Sequence, residues 1–553
     1  MRIPLLVVFA LGCQGTIGTG SDPLDRPAPF GARDDVDRPP DDEPPPRPSL
    51  RELFECASPG TLPPRIVRLN ARQYAETVRV ALGITPDEGV PFDLVNAADR
   101  FSTLRTSYRV GEGDVETVVL AASSLAERAV QRWIDDGDSC LRGVGRDGFD
   151  ACIREELRAR GAVLFHRPLS GDELERYARV GDSGAGFDAS AWASTSFEAM
   201  LRSPEFLFRT ELAEGGRLDP FEIASALSYT LTDGPPDEAL WRAAEDGLST
   251  AEDVRTQVER LMAAPAESDV LLRFVREYFG YGAAPLAGKS TQEFPNHDGD
   301  ALVADTDRFV RHVLDGHGRA GFLRELLTSD VVFTQASTAW NYGLEVPGSE
   351  PVQMRVPGER AGILLQPAWL VAWSEPDKNQ PIQRGKFIRE SFLCQDLPAL
   401  PIPEIDPLGD VDGRTLREIL ASHRASPACA GCHDQMDPLG LPFEQFDHVG
   451  RFRTMEQGRP VETHGALDSS GTDTDGEVSD PIDLTQRLAE SGVVRQCFVA
   501  HAFEYWIGEK PSGSVGCALA DADGAFAEGQ DLVGLVAAFF ASDAFLLRTE
   551  ESP

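Results

Sequence analysis

Apolar residues recur along this chain at intervals of three and four, the spacing that lines one face of an α-helix. Leu69, Tyr74, Val78 and Leu82 form such a stripe, opened by a capping box of Asn70 with Gln73 and stopped by Gly83. The stretch from Val115 to Trp133 predicts a longer, alanine-rich helix. Ser170 with Glu173 predicts a second capping box, and Asp219-Pro-Phe-Glu222 sets an N-cap, a first-turn proline and an N3 glutamate in order. Helical patterns also run over 254–262, 270–279, 301–314, 358–373, 384–394 and 494–506. Strict alternation is scarce and leaves room only for short hairpins in the glycine-rich stretch after Gly458. The expected fold class is all-α: a multi-domain helical array.

The two ends of that array differ in kind. Arg2 is followed by a short apolar run, Ile3 to Leu11, which has the form of a secretory signal and falls short of the about 20 residues a membrane span needs. Ala10-Leu-Gly-Cys13 resembles a bacterial lipobox, with Cys13 as the lipidated residue. Residues 14–55 are rich in proline and aspartate, too poor in apolar side chains to repay ordering, and are expected to be an extended tether. Behind it the pattern divides into helical domains at 56–140, 141–215 and 216–345, a CxxCH domain at 346–457 and a helical domain at 458–553. The expected location is outside the cytoplasm, in the periplasm or on the cell surface, held to a bacterial membrane by the lipid.

Cys429-Ala-Gly-Cys-His433 carries the most specific chemistry. Two thiols one helical turn apart match the two vinyl groups of a porphyrin, and the adjoining histidine is placed to coordinate the iron as haem c. A zinc site would need two further ligands at similar spacing, and no second CxxC occurs. A structural Cys429–Cys432 disulfide stays open. Asp468 to Gly476 gathers carboxylates in a loop but lacks the ligand order of a calcium hand. Phosphate loops, GxSxG elbows and HExxH motifs are absent, and Asn296-His-Asp298 and His312 with His317 have the look of ordinary surface groups.

Composition changes the picture in two ways. A formal charge of −38 spread over 553 residues excludes nucleic acid as a partner, since phosphates would be repelled. Of nine cysteines, Cys13 and the CxxCH pair are assigned, which leaves six for three disulfides in an oxidising compartment. Local spacing predicts Cys140–Cys152 and Cys497–Cys517, and elimination then pairs Cys56 with Cys394.

Short stretches along the body resemble a family of large exported proteins frequent in planctomycetes and myxobacteria, built from five consecutive domains of unknown function. They are Arg68-Leu-Asn-Ala-Arg-Gln-Tyr74, Phe165-His-Arg-Pro-Leu169 and Leu201-Arg-Ser-Pro-Glu-Phe-Leu-Phe-Arg209. Ala224 to Tyr229 with Pro236-Asp237, and Arg360 to Leu364 with Arg384-Gly385, continue the likeness. It is densest at Cys429 to His433 with Asp437-Pro-Leu-Gly440, Glu444-Gln-Phe-Asp447 and Gly450-Arg-Phe-Arg453. Many members are described as cytochrome-c-like, so the resemblance implies haem and leaves the reaction open.

Around the motif, Pro427 is expected to end a helix that carries His423, and His423 or Met455 is the expected sixth ligand. His423 also fits the family pattern; Met436, three residues from His433, shares its side, while His448 and His464 are within reach in sequence. Arg451 and Arg453 are expected either to neutralise haem propionates or to pair with Asp447 and Glu444. Asp437-Pro-Leu-Gly440 has turn chemistry. Two functions follow. One is electron transfer or haem-dependent oxidoreduction with an unidentified redox protein or small molecule, for which no acid–base residues are identifiable. The other is a non-redox envelope binding or scaffold protein whose CxxC is a structural disulfide.

Overall fold

The computed structural model describes residues 49–86, 100–104, 112–182, 186–346, 348–397, 413–425, 427–468 and 474–548. Cys13, the apolar leader, nearly all of the tether and most of the 468–476 acidic loop lie outside them. The chain is all-α, about 60% helical, with eight short strands among the described residues. No helix there is long and apolar enough to cross a membrane.

The capping chemistry sets the helices where the sequence places them. Strand β1 (Arg65–Arg68) leads into α1 (Ala71–Leu82), where Asn70 and Gln73 exchange bonds at 3.0 and 3.1 Å and Gly83 closes the helix in the left-handed region. Helix α2 (Glu112–Asp136) packs on α4 (Ala189–Leu201), and α3 (Gly171–Val180) starts from the Ser170–Glu173 box. Strand β2 (Phe208–Glu211) pairs antiparallel with β1, Arg65 opposite Glu211, a long-range pairing that no alternation announces. Helices α1 to α4 enclose one apolar core, to which residues on both sides of the expected 140/141 boundary contribute.

Asp219 caps α5 (Pro220–Thr232), and α6 (Asp269–Phe279) and α7 (Gly299–His317) follow the expected spans closely. Strands β3 (Val331–Thr334) and β4 (Val352–Arg355) form a second antiparallel pair. The single helix expected over 358–373 is broken. Gly362 sits at φ 65°, a 3-10 turn covers Ile363–Leu365, and Pro367 starts a fresh six-residue helix. A β-carbon on Gly362 would lie 2.1 Å from the Leu327 carbonyl oxygen, so only glycine lets the chain pass there.

Helix α8 (Pro381–Phe392), α9 (Leu416–Arg424) and α10 (Pro427–Gly440) carry the CxxCH region. Two hairpins follow, β5 (Met455–Glu456) with β6 (Arg459–Pro460) and β7 (Gly465–Leu467) with β8 (Gly476–Val478). Helix α11 (Gly492–Ile507) is largely apolar and mostly buried, with α12 (Gly516–Gly529) and α13 (Leu532–Phe540) against it and its Arg495 paired with Asp523 of α12. This second core runs from Leu53 to Leu546, so both ends of the described chain help to close it.

The disulfides correct two of the expected pairings. Cys140 bonds Cys152, but Cys497 bonds Cys394 and Cys517 bonds Cys56. Cys497 lies mid-helix on the α11 face that packs on α8, so its sulfur meets the residue just beyond α8 rather than the next helix. Cys517 opens α12 where the chain of 53–55 crosses: a β-carbon on Gly516 would be 2.7 Å from the Glu55 oxygen. Tertiary packing, not sequence distance, decides both.

A second long-range clasp is ionic. Glu211, fully buried, accepts from Arg65 at 2.6 Å, Arg209 at 2.6 Å and Arg548 at 2.8 Å. Burial pushes its carboxyl up, but three guanidiniums outweigh that and hold it at about 2.

Candidate functional site

Pro427 does not only follow α9; it opens α10, where its missing N–H costs nothing. Helix α9 ends at Arg424, as the proline requires, and starts from a capping box of Thr415 with Glu418. Ile419 and Leu420 bury one face of α9, which packs on α10. Helix α10 is pinned harder by α8. A β-carbon on Gly385 would lie 1.9 Å from the Met436 oxygen, and one on Gly440 would lie 1.8 Å from the Pro381 oxygen. The two backbones touch, and only glycine at both points permits it. Buried Arg389 then donates to the Gln435 carbonyl at 2.6 Å, and buried Arg384 donates to the Leu370 carbonyl at 2.9 Å. Burial outweighs the attraction of Glu444 and pushes the Arg384 guanidinium down to about 10.

On this anchored helix Cys429 and Cys432 are half-buried free thiols. The other six described cysteines are all in disulfides. His433 is 8% exposed, and its Nδ1 lies 3.0 Å from Oδ1 of Asp437, one turn on and fully buried. A carboxylate can only accept, so Nδ1 donates and Nε2, which has no hydrogen bond among the described residues, is left uncommitted. This is the way a metal-bound histidine is usually oriented from behind. Asp437 is a residue that sequence reasoning passed over as turn chemistry. Its signal was the i, i+4 spacing from His433.

The three groups do not converge as chelating ligands would. Among the described residues the one convergent group is Cys394, Cys497 and His501, two of which already share a disulfide. Separate thiols on one face with a back-bonded imidazole fit a porphyrin edge better than a bare ion.

The expected sixth ligands are placed as follows. His423 lies against His433, ring centroids 4.8 Å apart in an edge-to-face contact. Two imidazoles on opposite sides of one metal have centroids about 6 Å apart, given metal–nitrogen bonds near 2.0 Å. His423 therefore sits too close to His433 for an iron to stand between them. Met455 is half exposed on β5, and Met436 is buried in the α8–α10 contact. His464 lies beside Arg417 on α9, Nε2 to guanidinium 3.3 Å. Arg451 donates to Asp447 at 2.8 Å and covers the rings of Phe294 and Trp340. Arg453 donates to the Glu444 carboxylate and carbonyl, both at 2.8 Å. Both arginines thus take the carboxylates named as their alternative partners.

One cluster had no signal in the sequence. Lys289 is 7% exposed and donates to Ser374 Oγ at 2.6 Å, and burial pushes its amine down to about 7. His297 and His448 feel its charge, and burial with that charge holds His448 at about 4. Phe294 bridges them, stacked on Trp340 and edge-on to His448.

Two family models match. Residues 218–344 are similar to PSD4, a protein of unknown function (DUF1592), and residues 360–456, which hold the whole CxxCH site, to PSCyt3, a protein of unknown function (DUF1588). No curated protein and no solved structure matches the chain. The two stretches, under half of the chain together, place it beside a multi-domain family of unknown function.

Proposed function

We propose that this is an exported, lipid-anchored monohaem protein of the c-type cytochrome kind, serving electron transfer or haem-dependent oxidoreduction. The observation that carries the reading is the pair of free thiols at Cys429 and Cys432 on the helix that holds His433, in a chain whose other described cysteines are all paired. The scaffold alternative needs a Cys429–Cys432 disulfide, and these sulfurs are separate. Cys429 and Cys432 would hold the porphyrin by thioethers, and His433 Nε2 would face the iron. A haem so bound supplies one-electron chemistry. Asp437 fixes the ring plane and tautomer of His433, and α8 fixes the axis of α10 through Gly385 and Gly440. The name PSCyt3 of the matching stretch is in keeping with this.

The test is a denaturing gel stained for haem, on protein made with c-type haem maturation machinery. Wild type should carry stain at its full mass, and Cys429→Ala with Cys432→Ala should carry none. Wild-type protein without stain in a host that loads other c-type cytochromes would end the proposal.

A further inference from the structure

Far along the chain from the CxxCH helix, β1, β2, the first turn of α1 and the C-terminal end of α11 surround a cavity of 40 Å³. A single water needs roughly 10–15 Å³, so the space suits a few waters or one ion of four or five heavy atoms. Its wall carries five arginines, Arg65, Arg68, Arg72, Arg209 and Arg273, and one carboxylate, Asp233. Glu211 stands behind them, but Arg65, Arg209 and Arg548 already share it. Glu509, 3.9 Å from Arg65, and Asp233 answer part of this charge, and the arginine-rich lining still suits an anionic acceptor. The positive end of the α1 dipole at Asn70–Gln73 points the same way.

Unmade hydrogen bonds give a second, independent sign. Arg209 Nε, Trp506 Nε1 and Thr103 Oγ1 belong to residues lining the cavity, and each is a buried polar atom without a hydrogen-bond partner among the described residues. Arg209 is 8% and Trp506 2% exposed. Buried donors are rarely left unpaired. Arg209 and Trp506 can each offer an N–H, Thr103 an O–H, and an acceptor-only ligand answers all three. There is also a way in. Arg72 and Asp233 border the neighbouring surface groove as well as the cavity, and Arg72 is 40% exposed at its side chain.

We propose that this cavity binds one small oxyanion, a phosphate, sulfate or carboxylate group, between Arg72, Arg209, Arg273, Thr103 and Trp506. Asp233, held by Arg273 at 2.6 Å and lying 3.7 Å from Arg72, marks the mouth. The ligand would tie β1 and α1 to α11, joining the two apolar cores by charge. The site owes nothing to haem, and haem loading does not enter its test.

Inorganic phosphate, sulfate and acetate, each titrated calorimetrically into the full chain in chloride-free buffer, distinguish the tetrahedral ions from the carboxylate. At least one should bind saturably at one per chain and raise Tm with concentration, as a native-state ligand must. Thr103→Val removes one donor while keeping shape, and Trp506→Phe removes another at the cost of ring volume in the core, so circular dichroism and the urea midpoint of the unliganded chain are followed in both to separate lost binding from lost packing. Affinity should fall about tenfold in at least one of them, the loss of a charge-assisted bond. Arg451→Gln, which removes an arginine paired with Asp447 and remote from this cavity's lining, should leave it unchanged. No binding by any of the three at millimolar concentration, or affinity equal to wild type in both donor variants, would overturn the proposal.

Discussion

The chain uses one set of parts twice, to different ends. At Cys394, Cys497 and His501 two cysteines and a histidine lie together, and His501 Nδ1 meets the Glu504 carboxylate at 3.2 Å. At Cys429, Cys432 and His433 the same parts recur, with Asp437 at 3.0 Å. In the first region the sulfurs are joined and the His501 ring sits among Phe101 and Tyr278, its Nε2 3.3 Å from the Glu390 carbonyl. In the second the sulfurs are free and His433 Nε2 has no hydrogen bond among the described residues. A carboxylate behind an imidazole fixes its orientation in both. What separates a staple from a binding site is what remains uncommitted in front.

Exchanging cysteines should separate the two regions most sharply. Cys429→Ala with Cys432→Ala should abolish covalent haem and leave the denaturation midpoint of the haem-free chain nearly unmoved. Cys394→Ser with Cys497→Ser opens a loop of 103 residues, which should cost about 4–5 kcal/mol in urea titration while haem stays attached. If the second pair alone removed haem, the two regions would not be independent.

Gly385→Ala comes next. Its methyl would meet the Met436 carbonyl oxygen at 1.9 Å, so α8 and α10 must part, at about 2–3 kcal/mol by the usual price of overpacking. Stability of the chain and yield of haem-loaded protein should both fall.

Acid should weaken the chain through two buried histidines outside the compared pair of sites, His166 and His448. Burial holds His166 at about 3, and burial with the Lys289 charge holds His448 at about 4, both below the ordinary 6.5. Between those values and 6.5 the unfolded chain binds protons that the folded one refuses, so stability is full above 6.5 and is lost as pH falls toward 3. His166→Gln should flatten part of that slope in urea midpoints measured from pH 7 to pH 4.

Asp437→Asn keeps shape but withdraws the charge behind His433. Haem should stay attached with its midpoint potential raised, as a less basic axial imidazole implies. The smallest effect is expected of His423→Ala, which loses a ring contact and should leave the reduced spectrum of the haem-loaded protein unchanged. A spin-state change there would show that α9 moves to bring His423 onto the iron.

Local chemistry was legible in the sequence wherever it is decided locally. The boxes at Asn70, Ser170 and Asp219 formed as their spacing demanded, because a cap is a contract among residues three apart. The break at Gly362 was not legible, since its cause is the Leu327 backbone more than thirty residues earlier. Nor were the Cys56–Cys517 and Cys394–Cys497 bonds, the β1–β2 pairing, or the Lys289 cluster, which exist only once distant helices pack. Asp437 lay between: it was local, but read as a turn because Pro438 and Gly440 follow, whereas both fall in the last turn of α10.

An absorption spectrum of the purified full chain, oxidised and then reduced with dithionite, after expression with c-type haem maturation machinery, tests the central claim most directly. Sharp reduced α and β bands from haem that survives denaturation are the predicted result. A colourless protein, with Cys429 and Cys432 recovered as free thiols or as a disulfide, would contradict it.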